Sequence, residues 1–560
     1  MEKQDLGNTM KKASILEAFF VLERLIFTSI TMNYGKKNQD KMKKIKLSSI
    51  AFLTLLINLY VCAQNIQISS IGNPTEPSIM MDPNNPNILV AGSNLNYYYT
   101  SIDGGTTWNV NILSSSYGVW GDPVIDIDTL GHFYFTHLAN MPGGNWIDRI
   151  VCQKSTNGGI SWSDGSFTGL NGAKAQDKQW TIVDRSNNNI YMTWTEFDQY
   201  GSSASSDSSR ILFSKSMDQG NSWSAPIKIN QISGDCIDED NTVEGATPAI
   251  GTSGEIYVSW AGPNGIVFNR SLDQGNTWLA QEILVDPMPG GWDFDIPGLD
   301  RANGLPITKC DLSGGPNHGT IYINWSDQRN GSTDTDIWLT KSSNGGNTWS
   351  TPVKVNTDNS NKHQFFTWMD IDQTNGHLYF IFYDRRAYLD NQTDVYMAVS
   401  SDGGSTYENR KISDNSFTPT PGVFFGDYNN IVAHNDIVRP IWTRHNGGQL
   451  SIWTDVTPIG ETLGLPHESL EDNTIETNVF PNPTNNLNYI SFKLHKLSKV
   501  QIELIDSSGK LIVELTNKKM DYGKHIIPID MSTLNLSPGT YYYKLAINEE
   551  TEILKAILIK

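Results

Sequence analysis

The side chains best suited to chemistry in this chain are carboxylates and arginines at recurring places. Two loops are alike. Trp325-Ser-Asp327-Gln-Arg329 leads on to Asp336, and Tyr383-Asp384-Arg385-Arg386 leads on to Asp394. An aspartate beside a guanidinium can be a local ion pair that stiffens a hairpin. The same arginines, turned outward, would grip a carboxylate ligand through paired N–H donors. A second set, Glu76, Asp122, Lys178, Thr247, Leu305, Phe366 and Asp427, falls at the starts of corresponding strand-like runs. Glu196, Asp327, Asp384 and Arg444 fall at the ends of the runs that follow. Carboxylates gathered on one face can divide acid and base roles. Asp122, Asp427, Asp327 and Asp384 are the candidates for proton transfer. Glu76, Glu196, Arg301, Arg329, Arg385, Arg386 and Arg444 are the candidates to hold a substrate.

The elements that must position these groups are announced by a repeat. Ser101-Ile-Asp-Gly-Gly-Thr-Thr-Trp108 recurs as Ser155-Thr-Asn-Gly-Gly-Ile-Ser-Trp162 and Ser216-Met-Asp-Gln-Gly-Asn-Ser-Trp223. It returns three more times, beginning at Ser271, Ser342 and Ser400, with a period of ~60 residues. Asp or Asn at the third position can bond its own backbone, and Gly at the fifth permits positive φ, so each copy reads as a hairpin turn. Three strand-like runs precede each turn and one follows it, which describes a four-stranded antiparallel blade. After the sixth copy, 427–433, 437–442 and 450–453 supply three more runs without a turn. Residues 65–70 can supply the missing fourth strand and close the ring. The expected fold is therefore all-β: a seven-bladed β-propeller over 65–457, with six blades as the alternative. The turns occupy one face, so the strand starts and ends named above share the opposite one.

The repeat resembles the Asp-box, or BNR repeat, of sialidases and related secreted β-propellers. That resemblance implies a glycoside hydrolase chemistry in which a tyrosine nucleophile, activated by a glutamate, works with an aspartate acid/base and three arginines around the substrate carboxylate. The matching residue types are Tyr383 or Tyr428, Glu76, Glu196 or Glu244, and Asp122 or Asp427. The Arg-Ile-Pro motif of that family is missing, and Pro74-Thr-Glu-Pro77 stands in its place. No sialidase catalytic residue carries over. The expected function is processing or binding of extracellular glycans at the face opposite the turns, possible acidic sugars included. The alternatives are a non-catalytic surface propeller binding polysaccharide or protein, and a polysaccharide lyase.

Composition narrows the partners. A net charge of −19 opposes nucleic-acid binding. Four cysteines are too few for a disulfide scaffold and lack zinc spacing, although Cys236 could pair with Cys310. The acidic loop 235–240 offers a calcium site or a solvated surface. The loop 292–301 offers a sugar-stacking wall or a cap on the channel. His132 and His363 read as structural histidines. At the start, a basic stretch from Met42 and an apolar run over 47–61 precede Ala63, the layout of a secretory signal peptide over 42–63. Residues 1–41 then read as an upstream extension, with Met42 the true start. The apolar run is short for a membrane span, so the mature chain is expected to have none.

The composition shifts over 458–478, which reads as a linker. Residues 479–560 then alternate like a small β-sandwich. Val479-Phe-Pro-Asn-Pro, the turn Asp506-Ser-Ser-Gly-Lys510 and the strand Pro538-Gly-Thr-Tyr541 make this region similar to the C-terminal sorting domain of type IX secretion. The resemblance implies export across an outer membrane, with that secretion machinery as a partner.

Overall fold

The computed structural model describes residues 65–458 and 477–559, apart from 486, 495–497, 508, 521–522, 535 and 549. The upstream extension, the signal segment and nearly all of the linker lie outside the described residues. The chain divides into two units, 1–463 and 464–560. Among the described residues the structure is strand throughout, with one 3-10 turn at Met531–Leu534. No helix among them is long and apolar enough to cross a membrane.

The first unit holds seven four-stranded antiparallel sheets. Their innermost strands are Ser78–Met81, Val124–Ile127, Ala175–Asp184, Glu244–Ile250, Ile307–Cys310, Gln364–Ile371 and Asn430–His434. Each packs against the next, and the last packs against the first, so the sheets form the closed ring of a propeller. Blade seven is completed by the start of the unit: Asn65–Ser69 pairs with Gln449–Asp455, Asn65 opposite Asp455. The closure hides two strand edges that would otherwise be free to pair elsewhere. Asn65 also ties blade seven to blade six, donating to the Ile412 carbonyl at 2.8 Å and accepting from the Asp414 amide at 2.7 Å.

The repeated turn has one hydrogen-bond pattern. In the first copy Ser101 Oγ donates to Asp103 Oδ1 and accepts from the Gly105 amide. Asp103 then accepts from both the amide and the hydroxyl of Thr107. Asn157 and Asn344 make the equivalent bonds with an amide side chain. The aromatic that ends the turn reaches the preceding blade. Trp162 meets Tyr98 of blade one edge-on at 5.9 Å, Trp278 meets Phe213 of blade three at 5.0 Å, and Trp349 meets Phe268 of blade four at 5.1 Å. The repeat thus builds both the hairpin and the joint between blades.

The second unit has a three-stranded and a four-stranded sheet. Ile490 and Phe492 of one share a core with Val500, Ile502, Leu504, Tyr543 and Leu545 of the other, which makes a β-sandwich. The strand Ser498–Ile505 buries alternate residues, as a strand with one solvent face must.

Candidate functional site

Three of the inner strands, in blades three, four and six, carry a bulge at their entry. In blade three Asp177 faces Thr195 and Trp180 faces Thr193, so two residues, Lys178 and Gln179, stand where one would fit. Blade six repeats this with Phe366 and Thr367, and blade four with Gly245 and Ala246. The extra residue bends the strand and re-aims its side chain. Glu76, Asp122, Lys178 and Phe366 all have φ near +50°, a costly region for residues with a Cβ. In blade four the equivalent residue is Gly245, not Thr247, which sits two places further into the strand.

Glu76, Asp122, Lys178 and Asp427, each at the entry of its blade's inner strand, come together at the propeller centre. Lys178 Nζ lies 2.6 Å from Asp427 Oδ2, 3.7 Å from Asp122 Oδ2 and 3.9 Å from Glu76 Oε1. All four residues are buried. Burial disfavours the Lys178 charge, but Asp122, Asp427 and Glu76 outweigh it and hold its pKa above the usual lysine value. Glu76 goes the other way: burial first, and Asp122 second, push its carboxyl well above the normal range. Burial also opposes ionisation of Asp427, yet Lys178 and Arg301 hold it below the carboxylate range. Asn94 fixes two members, donating to Glu76 and accepting from the Asp122 amide at 2.8 Å.

A strap over 292–303 covers this cluster. Phe294, Ile296 and Ala302 belong to the hydrophobic core, and Trp292 donates to the Thr242 carbonyl at 3.2 Å. Arg301 bonds Asp427 through two nitrogens and reaches Asp238 Oδ2 at 3.2 Å. Asn303 donates to the Asp427 carbonyl at 3.0 Å. Of the two readings of this loop, the cap describes its packing. Beside the Lys178–Asp427 pair remains a cavity of about 30 Å³, lined by Trp180, Phe366, Trp368 and Tyr428 among others.

The other candidates lie in separate places. Asp327 is held by Arg329, which also bonds Asp286 at 2.9 Å and stacks on Trp338 at 4.4 Å. Asp384 is held by Arg386 at 2.6 Å, over the Tyr396 ring. Both arginines pair with the aspartate of their own loop, the ion-pair reading of the two loops, and Arg329 also reaches the neighbouring blade. Arg385 is buried and donates to the Pro297 carbonyl of the strap and to Thr393 Oγ1; burial lowers its pKa to about 10. Glu196 is bonded by Arg210, Lys174 and Asn171 in its own blade. Arg444 lies over Trp453. Tyr383 donates to the Thr443 carbonyl at 2.9 Å and accepts from the Thr443 amide at 3.0 Å, deep in the core. Burial raises its pKa, which does not suit a nucleophile.

Cys152, Cys236 and Cys310 are buried free thiols, so Cys236 and Cys310 do not pair. Cys236 packs with Trp194 and Phe197, Cys310 with Trp325 and Ile323, in different clusters. In the acidic loop, Asp235 accepts from Thr242, Asp238 from Tyr200 and Asp240 from the Asp293 amide. Each of these carboxylates thus accepts from a donor of the protein. Among the described residues no three His, Cys, Asp or Glu side chains form a metal-ligand group.

Several residues of the centre escape a reading by aligned strand starts. Asp177 precedes Lys178, and burial, with Asp122 and Asp238 nearby, raises its carboxyl to about 7 despite Lys178. Asp238 and Asn303 arrive from insertions, which have no counterpart in other blades. Trp180 and Trp368 did leave a signal: each stands two places after the bulged residue of its blade.

Residues 478–560 match the secretion system C-terminal sorting domain, so the chain carries the tail that directs type IX export to the cell surface or beyond. No curated protein matches the chain. Among solved structures it is similar to the Hadza microbial sialidase Hz136, with 13% identity over 66% of this chain and 73% of that one, at a TM-score of 0.38. It is similar to a PL25 ulvan lyase bound to a GlcA–Rha3S unit, with 13% identity over 70% and 94% and a TM-score of 0.42. YCF48 bound to D1 peptide gives 13% identity over 72% and 97%, at 0.38. Fold and tail together define an exported β-propeller.

Proposed function

We propose that this exported propeller binds an extracellular glycan at the loop face holding Asp122, Lys178 and Asp427, without cleaving it. The observation that carries this reading is a set of part-exposed aromatics around an acidic centre. Trp120, Trp146 and Phe424 keep 36%, 43% and 37% of their surface in solvent. Trp120 is two residues from Asp122, and Phe424 lies under the Arg301 guanidinium at 5.2 Å. Trp146 meets Tyr200 edge-on at 5.4 Å, and Tyr200 donates to Asp238 at 2.6 Å. Such rings offer an apolar face for sugar C–H groups beside polar groups for hydroxyls. The strap and the mutual ion pairs of the centre support binding over catalysis.

A hydrolase is the second reading. It is favoured by adjacent carboxyls driven apart, Glu76 up and Asp427 down, as an acid and a base would be. The test is a panel of extracellular polysaccharides and glycoproteins offered to the purified full chain, with retention and released products both measured. Retention without product, weakened about tenfold (~1.4 kcal/mol) by Trp146→Ala, is expected. A released sugar would replace binding by hydrolysis, and failure to retain any glycan would reject both.

A further inference from the structure

We infer that the outer edge of blade one is a dimer surface, and that its partner is a second copy of this chain. The sector is nearly free of charge. Between Asn65 and Gly121 the sequence holds three charged side chains, Glu76, Asp82 and Asp103, where the chain as a whole is 18% charged. Glu76 and Asp82 are buried, and Asp103 is tied into the repeated turn at one end of the blade. The outer strand is Asn109–Ile112. It pairs on its inner side with Tyr97–Ser101 and on its outer side with no strand among the described residues. Such edges are normally blunted by charge or by shortness. Blades three to six follow that rule, with Lys228, Asp286, Lys354, and Glu408 beside Arg410 and Lys411 on their outer strands. That of blade two, Ser166–Thr168, is only three residues long. That of blade one reads Asn-Val-Asn-Ile, with no charge.

Apolar side chains surround this edge. Val110 and Ile112 lie opposite Tyr99 and Tyr97, on the face where Tyr99 joins Ile68 and Ile441 of blade seven in a buried core. Ile112 is nonetheless 64% exposed. Ile71, 57% exposed, adjoins it, because the next residue, Gly72, sits so close to the Tyr97 ring that any Cβ would strike it. Exposed Leu95 stands at the hairpin tip, where the Asn96 carbonyl accepts from the Leu113 amide at 2.8 Å. The core between blades seven and one thus runs out uncovered to the surface, as at an interaction site. Charge selects the occupant. With a net charge of −19, two copies repel through acidic faces, and a contact of like with like needs a neutral one. A basic partner would be drawn to the acidic faces instead. The strand also suits itself. Opposed residues of an antiparallel pair point to one face, so a twofold axis must pass through a residue and not between two. An axis at Asn111 sets Asn111 against its own copy and Val110 against Ile112 twice. Apolar side chains then meet on one face and amides on the other. Asn111 Nδ2 leans to the Asn109 carbonyl at 3.5 Å, a bond long enough to yield to that contact. The pairing joins two four-stranded blades into one sheet.

The experiment is sedimentation of the purified full chain between about 1 and 100 µM, where a reversible dimer is expected. Ile112→Lys puts a charge on the edge and should raise the dissociation constant at least about tenfold. Leu284→Lys changes a similarly exposed side chain on the outer strand of blade four and should leave the constant unaltered. Both variants should keep the melting temperature of the parent chain. Under mild oxidation Asn111→Cys should give a disulfide-linked dimer, because opposed Cβ atoms lie within bridging distance, and Asn109→Cys should not. A monomer over the whole range overturns the inference and leaves the edge to another chain. A dimer that survives Ile112→Lys is held elsewhere and overturns it too. So does equal cross-linking through Asn109→Cys and Asn111→Cys, which marks chance collision in place of a paired strand.

Discussion

At the scale of single residues, chemistry and structure divide the same amino acid. Asp218 of the third repeated turn accepts from Ser216 Oγ, from the Ser222 amide and from Ser222 Oγ. Burial opposes ionisation of its carboxyl, but those bonds together lower its pKa. Asp427 bonds Lys178 and Arg301 in the buried centre and can bear on a ligand. Asparagine already fills the turn position in copies two and five, so Asp218→Asn is expected to cost under ~1 kcal/mol. Asp218→Ala removes every acceptor and should cost ~1–3 kcal/mol. Urea unfolding of both variants checks this, and equal losses would show that the side-chain bonds do not hold the turn.

At the scale of elements, blade seven depends on one short strand. Asn65–Ser69 is the only partner of the outer edge of Gln449–Asp455 in its sheet. Its loss would remove Ile68, uncover Ile441 and Ile452 in the same core cluster, and break the ties to Ile412 and Asp414. A chain beginning at residue 70 is therefore expected to melt several degrees lower and to aggregate through the opened edge. Scanning calorimetry and light scattering would detect both, and an unchanged melting temperature would mean that the ring is held without this closure. The strap is an element of another kind. It interrupts the repeat, so it brings Arg301 and Asn303 to the centre where the blade pattern alone would put nothing.

At the scale of the whole molecule, two groups of carboxyls set opposite responses to pH. Asp177 titrates near 3.9 in an unfolded chain but at about 7 in the fold, because burial outweighs Lys178. The fold then binds more protons than the unfolded chain between those values. Its contribution to stability is full below ~4 and is lost as pH rises through 7. Glu76 and Glu244 share this sign. The turn carboxyls have the reverse sign: Asp273, lowered to about 2 by Thr277 and Ser271, supports the fold above ~4 and stops doing so as pH falls towards 2. Stability should therefore peak in mildly acidic solution. Asp177→Asn should flatten the decline between pH 4 and 7 in the urea midpoint, and an unaltered slope would assign that decline elsewhere.

The sequence by itself determined the local rules and what repeats. Six copies of a turn with glycine at a fixed place specify hairpins at fixed intervals, and hairpins with apolar strands specify blades. The sorting tail was equally legible, because its strand alternation and turns are local. The conjunction of Glu76, Asp122, Lys178 and Asp427 was partly legible, since equivalent strand starts must share one face. Only the tertiary structure decided which of the aligned acids meet and which do not. Asp327 and Asp384 are taken by arginines two residues away, an outcome that side-chain direction fixes and residue type does not. A bulge moved blade four's residue from Thr247 to Gly245, and the strap carried Arg301 onto Asp427 across a sequence gap of 126 residues. Contacts of that range depend on how the ring closes, and no spacing along the chain encodes them.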